Sequence, residues 1–484
     1  MSKSLLDLDT LLSACGGTVI GSADTCFFTS VVTDSRNVVE NSLFIPLVGE
    51  FQNGHKYIPQ AVQKGASVVF VNRNEATEGF SSFPSVVFIA VDNTLHALQA
   101  AARAYAQKVA GNMIRVSITG SSGKTTTKEM LVSVCKAAFG EQAVAYTKGN
   151  FNSETGLPLS MFQIRGDEKI GIFEMGMNRR NEIGEISAVW QSQYGLITNI
   201  GTAHIGILGS RQNIAEEKRK SFDYIPATGA AFVPADDDFA DFCTQNVKGK
   251  VVRFGKNVSE AVSGVKFIKS LGLNGTCFSV DGVQINLPLS GEYNYQNALG
   301  VVALAKELGI SANQIKEGLE SMKAVAGRME IKPVVLKSGV SCSILCDCYN
   351  ANPDSMTKVI EFCGELADVE NKIFVLGDMK ELGEQAAQSH EQVGDAAAKC
   401  NAKLVILAGP EMNAAKKVLD SQAGAGTNTV YFEANDAAFF EAAAKLILDC
   451  AKENTLILIK GSHSMELEKL IPLIVKEQAE EVRK

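Results

Sequence analysis

Thr119-Gly120-Ser121-Ser122-Gly123-Lys124-Thr125-Thr126 separates an alternating apolar run (Ile114, Val116, Ile118) from a stretch carrying Met130, Leu131, Val134 and Ala138 at helical spacing. A strand, a glycine-rich turn and a helix in that order form the phosphate-binding unit of an α/β domain. Small residues let backbone N–H groups curl around phosphate oxygens, and the helix N-terminus adds partial positive charge. Lys124 is suited to neutralising β- and γ-phosphates and the Thr125 hydroxyl to ligating Mg²⁺. Only Ser121 and Ser122 stand between the glycines, a tighter loop than the general pattern. An ordinary Gly-Ser turn is the bland alternative, but Lys-Thr-Thr at the helix start argues for ATP. Gly120, Ser121, Ser122, Gly123, Lys124, Thr125 and Thr126 are the expected contacts.

On either side of this segment, strand-like runs alternate with helical patterns through most of the chain, the signature of α/β domains with largely parallel sheets. At roughly 100–200 residues per domain, 484 residues allow about three. We place a small α/β domain at 1–110, a central phosphate-loop domain at 111–330 and a C-terminal domain at 331–484. The first has runs at Ser67–Val71 and Val86–Val91, then a helix presenting Leu95, Leu98, Ala102 and Tyr105. The second continues through strands near Ile170–Phe173 and Leu196–Thr198. The third has runs at Ser343–Cys346, Ile373–Leu376, Leu404–Leu407 and Leu456–Ile459, three of which end in polar turns (Asp347, Gly377-Asp378, Lys460-Gly461-Ser462). Strand C-termini are where open α/β sheets bind ligands. Two such ends follow the phosphate loop. Glu174 closes one, where a carboxylate can reach Mg²⁺, and His204 follows the next.

Composition narrows the function class. Hydrophobic residues make up 46% and charged residues 21%, ordinary globular usage. With 46 basic against 54 acidic side chains the net charge is −8, which disfavours a nucleic-acid binder. No apolar run approaches the ~20 residues of a membrane span. Asp7 and Asp9 interrupt any signal-peptide core, so a cytoplasmic protein without membrane insertion is expected. Eleven cysteines without a Cys-x-x-Cys pair fit reduced thiols rather than a disulfide framework. Cys342, Cys346 and Cys348 form the densest group, with Cys346 and Cys348 on one face of an apparent strand, so strand thiols are favoured over zinc.

Three longer segments carry a more specific pattern: Gly149-Asn150-Phe151-Asn152-Ser153-Glu154-Thr155-Gly156-Leu157-Pro158, Asp347-Cys348-Tyr349-Asn350-Ala351-Asn352-Pro353-Asp354-Ser355-Met356 and Gly377-Asp378-Met379-Lys380-Glu381-Leu382-Gly383. With the short phosphate loop, they resemble the ATP-dependent Mur ligases of peptidoglycan precursor synthesis over essentially the whole chain. The resemblance implies a UDP-binding N-terminal domain, a central ATPase domain and a Rossmann-like C-terminal domain. It also implies a reaction that joins D-alanyl-D-alanine to the carboxylate of UDP-MurNAc-tripeptide through an acyl phosphate, with ATP going to ADP and phosphate.

By the same resemblance, Lys124, Glu174, His204 and Lys218 are catalytic. Thr125, Glu174, His204 and Lys218 would hold metal, with two Mg²⁺ ions expected and Lys218 carbamylated by CO₂. Lys220, two residues on, is the alternative register. Asn294 and Asn297 would meet adenine and ribose, while Arg328 and Asp347 would reach the nucleotide. Thr33, Asp34, Ser35 and Arg36 resemble the uridine-nucleotide segment, and Asn150, Asn152, Tyr349, Asn350 and Asn352 line the substrate side. A monomer is expected. Ser153, Cys346, Ile205-Gly206 and His463 depart from the family pattern, His463 standing where Arg is frequent. The rivals are a ligase adding one amino acid, or glutamate to a folate, and a non-catalytic nucleotide-binding regulator. A motor or switch NTPase would turn over ATP without any acceptor. The single-amino-acid ligases carry Asp-Asn-Pro-Arg, which is absent here. The third residue of the tripeptide is not encoded in these motifs.

Overall fold

The computed structural model describes residues 3–21, 26–76, 83, 85–422, 424 and 426–476. Three mainly parallel sheets follow one another along the chain. The first has the order Thr18–Ile20, Val87–Val91, Ala66–Asn72, Ser42–Phe44, Ser30–Val32, antiparallel only at its Thr18–Ile20 edge. The helix Thr94–Val109 starts where Asn93 accepts hydrogen bonds from the amides of Leu95 and His96. It buries Leu98, Ala101, Ala102 and Tyr105 in a core that also contains Leu157, Met161, Phe162 and Trp190. This helix therefore joins the first sheet to the next part of the chain.

The central sheet has six parallel strands, in the order Lys250–Phe254, Ala230–Pro234, Tyr194–Ile197, Ile114–Thr119, Ile170–Glu174, Val144–Tyr146. Register explains the site. Ile118 sits beside Glu174 and Thr119 beside Ile197, so the phosphate loop, Glu174 and the Thr198–His204 turn leave the sheet at one edge. A three-stranded antiparallel sheet, Val265–Ser270, Thr276–Val280 and Val283–Leu287, was not foreseen from sequence. Phe278, Ile285 and Leu287 pack with the helices Lys124–Phe139 and Glu292–Glu307.

The C-terminal sheet is ordered Glu330–Val335, Ser341–Asp347, Thr455–Lys460, Lys372–Gly377, Leu404–Ala408, Asn428–Phe432, with only its first strand antiparallel. Apolar clusters cover both faces, as a Rossmann-like sheet requires. One of them runs without a break from Met177, Ile200 and Ile205 in the central part to Met356, Ile360 and Phe374 in the C-terminal part. The two parts thus meet over a packed apolar contact, and the site lies at its rim.

Candidate active site

A cavity of about 430 Å³ opens where the strand ends of the central and C-terminal sheets face each other. Of the loop, Ser121, Ser122, Gly123, Lys124 and Thr126 line it; Gly120 and Thr125 lie buried just beneath. Two glycines are needed here. At Gly120 (φ 152°) a Cβ would fall 1.8 Å from Thr198 Oγ1, and at Gly123 (φ 79°) it would fall 2.7 Å from Asn297 Oδ1. Asn199 braces the loop from the neighbouring strand end, its Oδ1 accepting from the Ser122 amide at 3.1 Å and its Nδ2 donating to Ser122 O at 3.0 Å. Lys124 Nζ donates to Gly120 O at 2.8 Å. Burial lowers its pKa against the opposing pull of Glu174, and Arg328 lowers it further.

Thr125 Oγ1 donates to Glu174 Oε2 at 2.8 Å, and Asn152 Nδ2 donates to Glu174 Oε1 at 2.6 Å. A hydroxyl and a carboxylate beside a phosphate loop are hard oxygen donors of the kind Mg²⁺ takes. Among the described residues, no three His, Cys, Asp or Glu side chains are grouped to hold a metal ion. His204 lines the same cavity, with Nδ1 2.8 Å from Glu381 Oε2. That bond holds the Glu381 carboxyl below its usual range.

Lys218 does not reach the cavity lining. It is 1% exposed in the helix Arg211–Arg219, and its ammonium has no hydrogen-bond or ion-pair partner among the described residues. Burial first, and then the charge of Lys124, push its pKa well below the ordinary lysine value. Lys220 differs: its Nζ donates to Glu217 Oε2 at 2.8 Å and to Asn181 Oδ1 at 3.0 Å.

Asn294, Asn297 and Arg328 line the cavity from the central part; Asp347, Tyr349, Asn350 and Asn352 line it from the C-terminal part. Asn294 and Asn297 share a face of the helix Glu292–Glu307, where Asn294 Nδ2 donates to Ser290 O at 2.8 Å. The Arg328 guanidinium lies 3.9 Å from the Tyr349 ring centre, and His463 stacks on the same ring at 5.7 Å. Asp347 accepts from Lys460 Nζ at 2.5 Å and from the Met329 amide at 3.0 Å. Asn150 and Asn152 line the opposite side. Thr33, Asp34, Ser35 and Arg36 lie outside this cavity, in a polar turn at the end of the first sheet. There Asp34 caps the turn through the Arg36 amide, and hydrogen bonds from Arg36 hold its pKa at about 2.

The sequence reading missed several contributors. Lys460 is almost fully buried, a lysine closing an apolar strand. Asp354 accepts from the Thr202 amide and hydroxyl at 2.8 and 2.9 Å. Tyr293 lines the cavity with a buried hydroxyl that has no partner among the described residues, and burial pushes its pKa well up. The available signals were a charged residue ending a strand (Lys460), position inside a quoted motif (Asp354) and adjacency to Asn294 (Tyr293). All eleven cysteines are free; Cys346 Sγ, in the strand Ser341–Asp347, lies 3.5 Å from the Sγ of Cys348, one residue past its end. No described helix is long and apolar enough to cross a membrane.

Three family models match in succession: "Mur ligase family, catalytic domain" over residues 28–106, "Mur ligase middle domain" over 118–305, and "Mur ligase, glutamate ligase domain" over 327–463. The chain is similar to UDP-N-acetylmuramoyl-tripeptide–D-alanyl-D-alanine ligase of Treponema pallidum, at 39% identity over 98% of this chain and 100% of that protein. It is 31% identical to the ligase of the same name from Haemophilus influenzae, over 91% of this chain and 92% of that one. In three dimensions it matches a crystal structure of MurF from Acinetobacter baumannii, with a TM-score of 0.82 and 27% identity over 96% of this chain and 97% of that one.

Proposed function

This chain belongs to the Mur ligase family, and we infer from that membership and from its site that it is an ATP-dependent amide ligase of peptidoglycan precursor synthesis. It joins D-alanyl-D-alanine to UDP-MurNAc-tripeptide, giving UDP-MurNAc-pentapeptide, ADP and phosphate. The observation that carries this reading is the meeting, in one cavity, of the phosphate loop, Glu174, the Asn294–Asn297 pair and the Asp347–Asn352 segment.

A carboxylate at neutral pH is a poor electrophile. Its oxygen therefore attacks the γ-phosphorus of ATP, forming an acyl phosphate and releasing ADP. The dipeptide amine then adds to that carbonyl, and phosphate leaves with one of the original carboxylate oxygens. Two anions must approach, so positioning and electrostatic stabilisation dominate. Lys124 and the loop amides hold the β- and γ-phosphates; Asn294 and Asn297 present amides to adenine and ribose, and Arg328 and Asp347 complete the nucleotide site. Thr125 and Glu174 would hold one Mg²⁺, and His204 with a carbamylated Lys218 a second. Bound there, the ions would neutralise phosphate charge during transfer. Burial without a partner supports Lys218 over the already paired Lys220, because carbamylation needs a free amine.

Tyr349, Asn350 and Asn352, opposite Asn150 and Asn152, form the acceptor side. Thr33, Asp34, Ser35 and Arg36 are assigned to the uridine nucleotide. The division at 110 and 330 is supported by the sheets, which it separates except at Glu330, the first residue of the strand Glu330–Val335 in the C-terminal sheet. We assign a monomer working in the cytoplasm. ADP release with UDP-MurNAc-tripeptide, comparing D-alanyl-D-alanine with single amino acids, tests the assignment. Turnover with the dipeptide alone is expected, and turnover only with a single amino acid would move the protein to a neighbouring step.

A further inference from the structure

The segment Gly377-Asp378-Met379-Lys380-Glu381-Leu382-Gly383 has no role in the reaction as described so far. Its backbone is held within the C-terminal part at successive residues. Met379 N–H donates to His390 Nε2 and Lys380 N–H to Ser462 Oγ, both at 3.0 Å, while the Asp378 carboxylate accepts from Met412 N–H at 3.1 Å. Glu381 emerges from this anchorage in a left-handed conformation (φ 63°), uncommon for a residue with a Cβ.

From there Glu381 reaches the central part twice. Its carbonyl accepts from Gly206 N–H at 3.1 Å, and its Oε2 lies 2.8 Å from His204 Nδ1. Gly206 permits the approach: a Cβ at that position would fall 2.6 Å from Glu381 O and 2.7 Å from Gly383 N. His204 is itself left-handed (φ 65°) and lines the cavity. A carboxylate can only accept, so a neutral imidazole bonded to it through Nδ1 carries its proton there and keeps its lone pair on Nε2.

We propose that Glu381 is a positioning residue. Docking of the C-terminal part sets the orientation and tautomer of His204, so that Nε2 becomes a competent ligand only when the two parts are together. This rests on the assignment of His204 as a metal-facing residue. A carboxylate behind a ligating histidine fixes the ring and raises its basicity. Here the carboxylate comes from another part of the chain. The docking itself does not depend on the Glu381 side chain: Asp354 holds Thr202 through two hydrogen bonds, and Asn352 Nδ2 donates to Ser122 Oγ at 3.2 Å.

The test uses the full-length protein without metal or nucleotide. Imidazole ¹⁵N shifts are recorded above pH 8, with the His204 signals identified by their loss in His204→Gln. Wild type is expected to be protonated at Nδ1. Glu381→Ala is expected to lose that preference, and Glu381→Gln, which keeps an acceptor oxygen, to retain it. In turnover, Glu381→Ala is expected to raise the Mg²⁺ requirement and lower kcat by roughly 10- to 100-fold. KM for ATP should stay within about twofold, and Glu381→Gln should recover most of the loss. A wild-type ring protonated at Nε2, or an unchanged tautomer in Glu381→Ala, overturns the proposal. The tautomer is read without turnover, so a failed ligase assignment would leave this result standing.

Discussion

Asn352, in the C-terminal part, donates through Nδ2 to the Oγ of Ser122 in the phosphate loop, across 3.2 Å. The same side chain caps the helix Pro353–Glu365, its Oδ1 accepting from the Ser355 amide at 2.9 Å. One residue therefore ties the Asp347–Met356 segment both to its own helix and to the glycine-rich loop of another sheet.

The two roles separate in Asn352→Asp. A carboxylate still caps the helix, so stability should change by less than about 0.5 kcal/mol. The bond to Ser122 loses its donor, and a negative charge faces the phosphates. KM for ATP should rise by about tenfold, equivalent to roughly 1.4 kcal/mol. Urea melts and steady-state kinetics measure the two effects, and a destabilised variant with normal KM would contradict this division.

Lys124→Ala should lower kcat on the order of 10³-fold while leaving the fold intact, since on the proposed assignment it removes a cation that holds the transferred phosphoryl group. Circular dichroism and ADP release check the two halves of that statement. A near-normal rate would remove the phosphate loop from the mechanism.

Lys218→Ala should be severely impaired and partly restored by a short added carboxylate. Lys220→Ala should stay within a few-fold of wild type, because that ammonium already pairs with Glu217. The reverse pattern would shift the assignment by two residues.

His55 and His390 are both buried, with Nε2 accepting a backbone N–H (from Asn72 and Met379) and Nδ1 placed to donate, to Asn53 Oδ1 and to Ala386 O. Burial lowers both pKa values. At His55 only Glu75 opposes; at His390 the Ala386 carbonyl, Asp378 and Glu411 oppose, and Lys380 reinforces. The folded state thus resists protonation more than the unfolded chain, whose value is about 6.5. Their contribution is complete above that pH and is lost as pH falls toward the depressed folded values. The stability gap between wild type and His390→Gln should shrink from pH 7.5 to pH 5.5 in urea melts. A gap that widens would contradict the sign.

Gly171→Ala should cost about 1–3 kcal/mol through overpacking, since its Cβ would fall 2.7 Å from Trp190 Cη2 and 2.9 Å from Met113 Cε. Denaturant unfolding checks it, with kcat per folded molecule expected near wild type.

What could be read from sequence was local. The phosphate loop carries its meaning in eight consecutive residues, and Glu174 and His204 follow strands whose apolar runs are plain. Lys460 meets Asp347 because their strands pair in parallel with those two residues in register, although 113 positions separate them. No local pattern encodes that adjacency, nor the reach of Glu381 to His204. The strand Val265–Ser270 escaped notice because five of its six residues are exposed, leaving no buried face to write an alternating pattern. Asn294 and Asn297 became legible only through resemblance, since an Asn pair at helical spacing is more often a capping or solvated pair than a ligand.

The most direct test is isotopic. UDP-MurNAc-tripeptide labelled with ¹⁸O in its terminal carboxylate is turned over with ATP and D-alanyl-D-alanine, and phosphate and product are read by mass spectrometry. An acyl-phosphate route gives UDP-MurNAc-pentapeptide with one ¹⁸O delivered to each phosphate. ADP formation with unlabelled phosphate, or without pentapeptide, would contradict it.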